Sequence, residues 1–187
     1  MKKYQITEWC HHFIGGHVQE GDLCIDATAG NGYDTLLLAE LVGESGRVLA
    51  FDIQEQAVEE TRRKMEVCGY SGRTEVLLDS HVHMGAYAGE NTVSCITFNF
   101  GYLPGGDHAL ATKADTSAQA IGEGLRLLKK DGLMSLCIYS GGDSGFEEKE
   151  RILAYLKELD PKKYLVIVSE YYNRPNHPPV PAFVIKL

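Results

Sequence analysis

Two aspartates that follow apolar runs enclose a glycine-rich turn. Asp26 ends the first run and Asp52 ends the second. Between them, Gly30 and Gly32 can adopt backbone angles that are closed to other residues, so a ligand can approach the main chain closely. Asp52 follows Gly32 by twenty residues, a position where a strand-end carboxylate can bind both hydroxyls of a ribose. The spacing predicts a site for an adenosine-containing cofactor in a doubly wound α/β fold.

The residues after the two glycines indicate which cofactor this is. A dinucleotide site has the pattern Gly-x-Gly-x-x-Gly/Ala, and its pyrophosphate lies on the helix N-terminus. Here Thr35 takes the third position and Asp34 precedes it. A carboxylate there favours the helix dipole but repels a diphosphate, and Asp26 adds a second negative charge. The pattern therefore favours S-adenosylmethionine, which carries an ammonium and a sulfonium, over NAD, and it disfavours a nucleotide-binding oxidoreductase.

Further polar residues follow the other predicted strands. Ligands of open α/β sheets bind outside the carboxyl ends of the strands. Gln54 follows Asp52 and can add a hydrogen bond, and Asn99 ends the fourth strand. His81 and His83 have a spacing that can bind metal, but no cysteine or carboxylate with ligand spacing follows them. We therefore predict no metal site.

The resemblance to a known family is carried by motifs that span nearly the whole chain. Asp26-x-x-x-Gly30-x-Gly32 resembles the first motif of class I S-adenosylmethionine-dependent methyltransferases, and Asp52 resembles the acid of their second strand. Thr28 stands where many members carry glycine. Four blocks are similar to a small bacterial family labelled rRNA methylase: DATAGNGYDT (26–35), DSH (79–81), NFGYLPGGDH (99–108) and NRPNHPP (173–179). That family is associated with methylating the aminomethyl group of 5-aminomethyl-2-thiouridine at the tRNA wobble position.

The resemblance also implies which residues bind the cofactor. It places Asp79 and Ser80 on the adenine side, where the alternative is simple turn chemistry at a strand end. Together with the turn, the predicted cofactor-binding residues are Asp26, Thr28, Gly30, Asn31, Gly32, Asp34, Thr35, Asp52, Gln54, Asp79, Ser80, His81 and Asn99.

The block after the fourth strand predicts the catalytic residues. Asn99-Phe100-Gly101-Tyr102 resembles the (Asp/Asn)-Pro-Pro-(Tyr/Phe) block of amine and amide N-methyltransferases, with Phe-Gly in place of Pro-Pro. The resemblance makes Asn99 and the Phe100 carbonyl acceptors for the target amine and Tyr102 the stacking ring. Alternatively, Asn99 is a cap and Tyr102 packs. Asp107 or His108 could accept the proton of the amine, or both could be solvated turn residues.

Composition restricts the location and the partners of the chain. The 187 residues are 44% hydrophobic, and no apolar run has membrane-spanning length or resembles a secretory segment, so we expect a cytoplasmic protein without a membrane partner. We expect the five scattered cysteines to be reduced residues of the core. The net charge of −8 argues against a basic RNA-binding face. Arg174 and the tyrosines 171 and 172 could contact single-stranded RNA or simply belong to a proline-rich connection.

Alternating apolar runs and helical periods predict one Rossmann-like class I methyltransferase domain over residues 1–187. Its doubly wound sheet should be mostly parallel, with an antiparallel last strand. The expected strands are 23–27, 47–52, 75–78, 93–98, 132–139, 164–171 and 181–187, and the expected helices are an N-terminal one, 34–42, 54–68, 115–129 and 146–159.

The sequence thus favours an S-adenosylmethionine-dependent N-methyltransferase that acts on RNA. Its expected substrate is the aminomethyl group of the wobble uridine in the anticodon loop of tRNA. A methyltransferase of rRNA or of a small molecule is the alternative, and a non-catalytic cofactor-binding module is disfavoured by the block at Asn99. The chain could act as a monomer or a homodimer.

Overall fold

A computed structural model describes residues 5–100, 114–140, 145–175 and 178–187. The predicted residues Tyr102, Asp107 and His108 lie outside this part of the chain. The described strands are β1 (Leu23–Asp26), β2 (Arg47–Asp52), β3 (Thr74–Leu78), β4 (Val93–Phe100), β5 (Leu128–Ile138), β6 (Tyr164–Val168) and β7 (Val180–Lys186). The described helices are α1 (Ile6–Gly15), α2 (Tyr33–Leu41), α3 (Glu55–Val67), α4 (Ala114–Leu127) and α5 (Gly145–Lys157), with a 3-10 helix at His81–Ala86.

The seven strands form one sheet in the order β3-β2-β1-β4-β5-β7-β6. The pairs among β1 to β5 are parallel, whereas β7 is antiparallel to both β5 and β6. The fold-class prediction is therefore confirmed. The strand order reverses between β1 and β4, and the helices α2 and α4 that come after these strands pack on opposite faces of the sheet. At such a reversal, ligands of open α/β sheets bind in a crevice at the carboxyl edge.

Apolar side chains of the strands pack on both faces of the sheet. Cys24 and Ile25 are adjacent in β1 and fully buried, but they belong to different clusters. On the Ile25 face, the cluster includes α4 and α5 side chains such as Ile121 and Ile152. On the Cys24 face, it includes side chains of α1, α2 and α3. The described helices therefore cover the sheet on both sides, and α1 lies on the same side as α2.

Some boundaries differ from the sequence prediction. β4 continues through Asn99 to Phe100, because Asn99 and Phe100 are in register with Cys137 and Ile138 of β5. β5 begins at Leu128 rather than at 132: Leu128 pairs with Val93 before the register shifts. β6 ends at Val168, short of the predicted residue 171. Among the described helices, none is long and apolar enough to cross a membrane.

Candidate active site

The glycine turn connects β1 to α2 and requires glycine for two separate reasons. Gly30 and Gly32 have φ angles of 53° and 72°, in the left-handed region that favours glycine. A Cβ atom added at Gly32 would also lie 2.9 Å from Oγ1 of Thr61. The Thr61 hydroxyl itself donates to the Gly30 carbonyl at 3.2 Å. The start of α2 is therefore held close to α3.

Asp52 holds this turn with its carboxylate. One oxygen accepts a hydrogen bond from the Gly30 N–H at 2.9 Å, and the other accepts one from the Gln54 N–H at 2.9 Å. Each carboxylate oxygen can accept a second hydrogen bond. The predicted contact with a ribose diol therefore has acceptor capacity, and the same carboxylate fixes the turn that the ligand would approach. Gln54, the residue before α3, contacts Asp52 through its backbone N–H.

Asp26 lies beneath the turn and is fully buried. The Thr35 hydroxyl donates to it at 2.6 Å, and the Thr28 N–H donates at 3.2 Å. Burial, and then the nearby Asp34 carboxylate, raise the pKa of Asp26 to about 7. Asp26 therefore stabilises the turn through its hydrogen bonds to Thr28 and Thr35. Its role toward a cofactor stays a prediction.

Asp34 and Asn99 meet across the crevice from opposite sides of the strand reversal. The Asn99 side-chain amide donates to Asp34 at 2.7 Å. Because a carboxylate only accepts hydrogen bonds, this contact fixes the NH₂ branch of the amide on Asp34 and points the amide oxygen the other way. The Asn99 backbone N–H donates to the Thr28 hydroxyl at 2.7 Å. Both the main chain and the side chain of Asn99 are thus tied to the glycine turn.

His11 completes this arrangement and was not predicted. Its Nε2 atom lies 2.6 Å from the other oxygen of Asp34. The hydrogen bond to Asp34 raises the pKa of His11, although burial opposes the shift. The two residues lie on different helices, α1 and α2. The sequence around a histidine on one helix does not indicate which residue of a later helix it will contact.

The Phe100 carbonyl was predicted to act beside Asn99, and the sheet already uses it. It accepts a hydrogen bond from the Tyr139 N–H at 3.0 Å. A carbonyl oxygen can accept a second bond, but this one is held along the β4–β5 ladder. The roles of this carbonyl and of Asn99 toward the target amine stay predictions. The predicted partners Tyr102 and Asp107 fall in 101–113, outside the described residues.

Asp79 and Ser80 form the turn that starts the 3-10 helix. The Asp79 carboxylate bonds with Nδ1 of His83 at 2.7 Å and accepts from the hydroxyl of Tyr87 at 2.9 Å, and these two contacts hold its pKa below the usual range. The Ser80 hydroxyl accepts from the Val82 N–H at 3.4 Å. Turn chemistry is thus visible here. Contact with adenine stays a prediction, although the Asp79 N–H bonds to the Asp52 carbonyl at 3.0 Å and places the two strand ends together.

His81 contacts the main chain that follows β1. Its Nδ1 atom is 3.2 Å from the Ala27 carbonyl oxygen, which can only accept, so Nδ1 carries a hydrogen. Burial lowers the pKa of His81. Its ring meets the rings of Phe98 and Phe100 edge-on. Within the described ranges, no group of three potential metal ligands occurs.

Most of the predicted residues are thus brought to one edge of the sheet. Hydrogen bonds connect the glycine turn to Asp52 and to Asn99. Asn31 is exposed at the turn, and its carbonyl accepts from the ammonium of Lys64. The carboxylates of Asp34, Asp52 and Asp79 at this edge favour a ligand with cationic groups, and the open backbone at the glycines allows close approach. These features fit S-adenosylmethionine.

Comparisons of the sequence with known proteins identify methyltransferase relatives. The family model described as "Putative rRNA methylase" matches residues 48–185. A second model, for protein-L-isoaspartate O-methyltransferase, matches residues 4–90, which include the glycine turn. The chain is 38% identical to a protein from Arabidopsis thaliana named "tRNA (mnm(5)s(2)U34)-methyltransferase, chloroplastic", over 97% of this chain and 69% of that relative.

Solved structures give the same result. A "putative rRNA-methylase" from Clostridium thermocellum has a TM-score of 0.96 and 40% identity, and the match covers 100% of both chains. A "putative methyltransferase" from Streptococcus mutans, solved in complex with SAH, has a TM-score of 0.88 and 33% identity over 97% of both chains. The chain therefore belongs to the rRNA methylase family of that model, and it is a class I methyltransferase that depends on S-adenosylmethionine.

Proposed function

We propose that this methyltransferase transfers a methyl group to the aminomethyl nitrogen of 5-aminomethyl-2-thiouridine at the wobble position of tRNA. The name of the Arabidopsis relative supports the substrate class. The observation that carries the proposal is the orientation of the Asn99 amide at the end of β4. Its NH₂ branch is held on Asp34, which leaves the oxygen as an acceptor suited to an amine N–H.

Orientation is what the reaction needs from the protein. The amine lone pair attacks the methyl carbon, the carbon–sulfur bond breaks, and its electron pair goes to the sulfonium, which becomes a thioether. The nitrogen gives up a proton to a nearby base. When bound, S-adenosylmethionine supplies the activated methyl group. By accepting a hydrogen bond from the amine, Asn99 would aim the lone pair, and alignment of this kind can supply much of the acceleration. Asp107 and His108 remain the predicted candidates for the proton acceptor.

The connection between β6 and β7 supports an RNA substrate. β7 begins at Val180, which pairs with Ile138 of β5, and Ile138 pairs with Phe100 beside Asn99. The start of β7 therefore lies at the same edge of the sheet as Asn99, two strands away, or about 10 Å. In the preceding connection, Tyr172 is 99% exposed. An exposed ring can stack on an unpaired base, and Arg174 nearby in sequence can contact phosphate.

The test is methylation of defined RNAs by the purified protein. The expected result is conversion of 5-aminomethyl-2-thiouridine to its methylated form in tRNA, measured by mass spectrometry of the nucleosides. Ribosomal RNA and the free nucleoside serve as parallel substrates, because the family description names rRNA and a small-molecule substrate is the other alternative. Methylation of rRNA alone, or of the free nucleoside as efficiently as of tRNA, would overturn the proposal.

The variant Asn99→Ala tests the assigned chemistry in the same assay. Single-turnover methylation should fall by about a hundredfold, since misplacing a nucleophile by roughly an ångström has an effect of this order. Affinity for S-adenosylmethionine, measured on the same preparation, should stay within about threefold. A variant that turns over normally would reduce Asn99 to a structural residue. Failure in cofactor binding alone would place Asn99 in the donor site instead.

A further inference from the structure

We propose that His11 is a positioning residue of the methyl-transfer reaction, which acts through Asp34 to fix the orientation of the Asn99 amide. This inference rests on the proposed function of Asn99. It adds the N-terminal helix to the machinery of the site, whereas the sequence motifs assign the chemistry to the glycine turn and the strand ends.

The geometry is a chain of two hydrogen bonds through one carboxylate. Nε2 of His11 is 2.6 Å from one oxygen of Asp34, and the Asn99 amide donates to the other oxygen at 2.7 Å. Both hydrogen bonds are made to a carboxylate, and such bonds are stronger than those between neutral groups. With a partner on each oxygen, the carboxylate plane of Asp34 cannot rotate freely. Without His11, one oxygen would lose this partner, and the direction of the Asn99 amide would depend on a mobile carboxylate.

Helix α1 is a firm support for this contact. Its side chains Ile6, Cys10 and Ile14 are buried in the core. The Phe13 ring stacks on the ring of Phe183 of β7, with 4.1 Å between the ring centroids. His11 itself is partly shielded, with 29% of its side chain exposed, and Asp34 is 15% exposed. A hydrogen bond in such a position is weakly screened by solvent and can hold a preferred geometry.

The adjacent histidine provides a matched control. His12 is exposed and stacks on Trp9 of the same helix, with 5.9 Å between the ring centroids. Its carbonyl accepts a hydrogen bond from the Gly16 N–H at the end of α1, so these contacts are local to the helix. Substituting His12 removes an imidazole from the same helix and leaves the contact between His11 and Asp34 in place.

Two amide substitutions separate the hydrogen bond from the shape of the imidazole. The terminal nitrogen of glutamine reaches the position of Nε2 and can donate to Asp34, whereas the shorter asparagine cannot. We expect His11→Asn and His11→Ala to lower the single-turnover methylation rate on aminomethyl-bearing tRNA by about tenfold. His11→Gln should restore the rate to within about threefold of the wild-type protein, and His12→Ala should leave it unchanged. Affinities for S-adenosylmethionine and tRNA should change by less than about threefold.

A double-variant measurement tests whether His11 acts through Asn99. When Asn99 is already alanine, His11→Asn should cause no further loss of rate, because residues that act as a unit are not additive. A multiplicative loss would show that His11 acts elsewhere and would overturn the inference. Normal rates for His11→Asn would overturn it too, as would a loss confined to cofactor binding. A wild-type protein that fails to methylate this tRNA would instead refute the proposed function.

Discussion

Replacement of Thr35 by valine tests the physical basis of the turn. Valine has nearly the shape of threonine but lacks the hydroxyl that donates to Asp26 at 2.6 Å. Thr35 and Asp26 are both fully buried, so water cannot replace the lost donor. The Thr28 N–H would still donate to that carboxylate, at the longer distance of 3.2 Å. Removal of a hydrogen bond to a buried charged group costs about 1.5–3 kcal/mol, and we expect the free energy of unfolding to fall by that amount near pH 9.

The expected pH dependence distinguishes this mechanism from a packing defect. The pKa of Asp26, about 7 in the folded chain, lies above its value in the unfolded chain, so Asp26 favours folding at low pH and this contribution is lost as the pH rises toward 7. The Thr35 hydroxyl opposes that shift. Without it the pKa rises further, and the valine variant loses additional stability above about pH 7.

Urea unfolding at about pH 5 and about pH 9 measures both effects. The control is Thr35→Ser, which retains the hydroxyl and loses only a methyl group, so its deficit should be similar at both pH values. A valine variant with a deficit below about 0.5 kcal/mol at the higher pH, or with equal deficits at both, would refute the reasoning.

Three further predictions follow from the same contacts. Asp52→Ala should weaken binding of S-adenosylmethionine more than tenfold in calorimetry, because it removes the predicted acceptor for the ribose at a cost of about 1.5–3 kcal/mol; an unchanged dissociation constant in the folded variant would move the ribose elsewhere. Gly32→Ala should lower the free energy of unfolding by about 1–3 kcal/mol, while Gly15→Ala, which has open space around its Cβ, should not destabilise the chain; equal effects would contradict the left-handed requirement. Affinity for S-adenosylmethionine should rise with pH through about 7 as Asp26 ionises, and a flat profile would count against the electrostatic argument.

The sequence predicted the fold because its signals are local. Apolar runs bounded by turn residues predicted each described strand, and β2 was predicted with the bounds that the structure has. The junction of α4 and β5 was misplaced for a non-local reason. Leu128 pairs with Val93 on the neighbouring strand before the register shifts, and Asp131 takes a φ angle of 61° within β5. No local pattern distinguishes this start of a strand from the last turn of a helix.

The site was predictable as a set of positions, but its connections were not. Asp52 and Asn99 follow from their places at strand ends, and the fold brings them to one edge. The contact between Asp34 and Asn99 joins residues 65 positions apart, and the contact between His11 and Asp34 joins residues 23 positions apart. Such pairings depend on how α1 and α2 pack on the sheet, which periodicity alone does not specify.

The acidic character of the chain fits the proposed reaction better than it fits RNA binding in general. The methyl donor carries an ammonium and a sulfonium, and the target aminomethyl group is a cation until it loses its proton, so carboxylates such as Asp34 and Asp52 attract both reactants. The same charge repels phosphates from the crevice. The tRNA backbone must then be bound outside the crevice. The connection before β7 starts from the same edge of the sheet and carries an exposed ring, Tyr172, and a cation, Arg174, that can bind RNA. Exchange of Arg174 for glutamate should therefore weaken tRNA binding and its dependence on salt while leaving the affinity for S-adenosylmethionine unchanged, and equal tRNA binding by both proteins would exclude this connection from the RNA-binding surface.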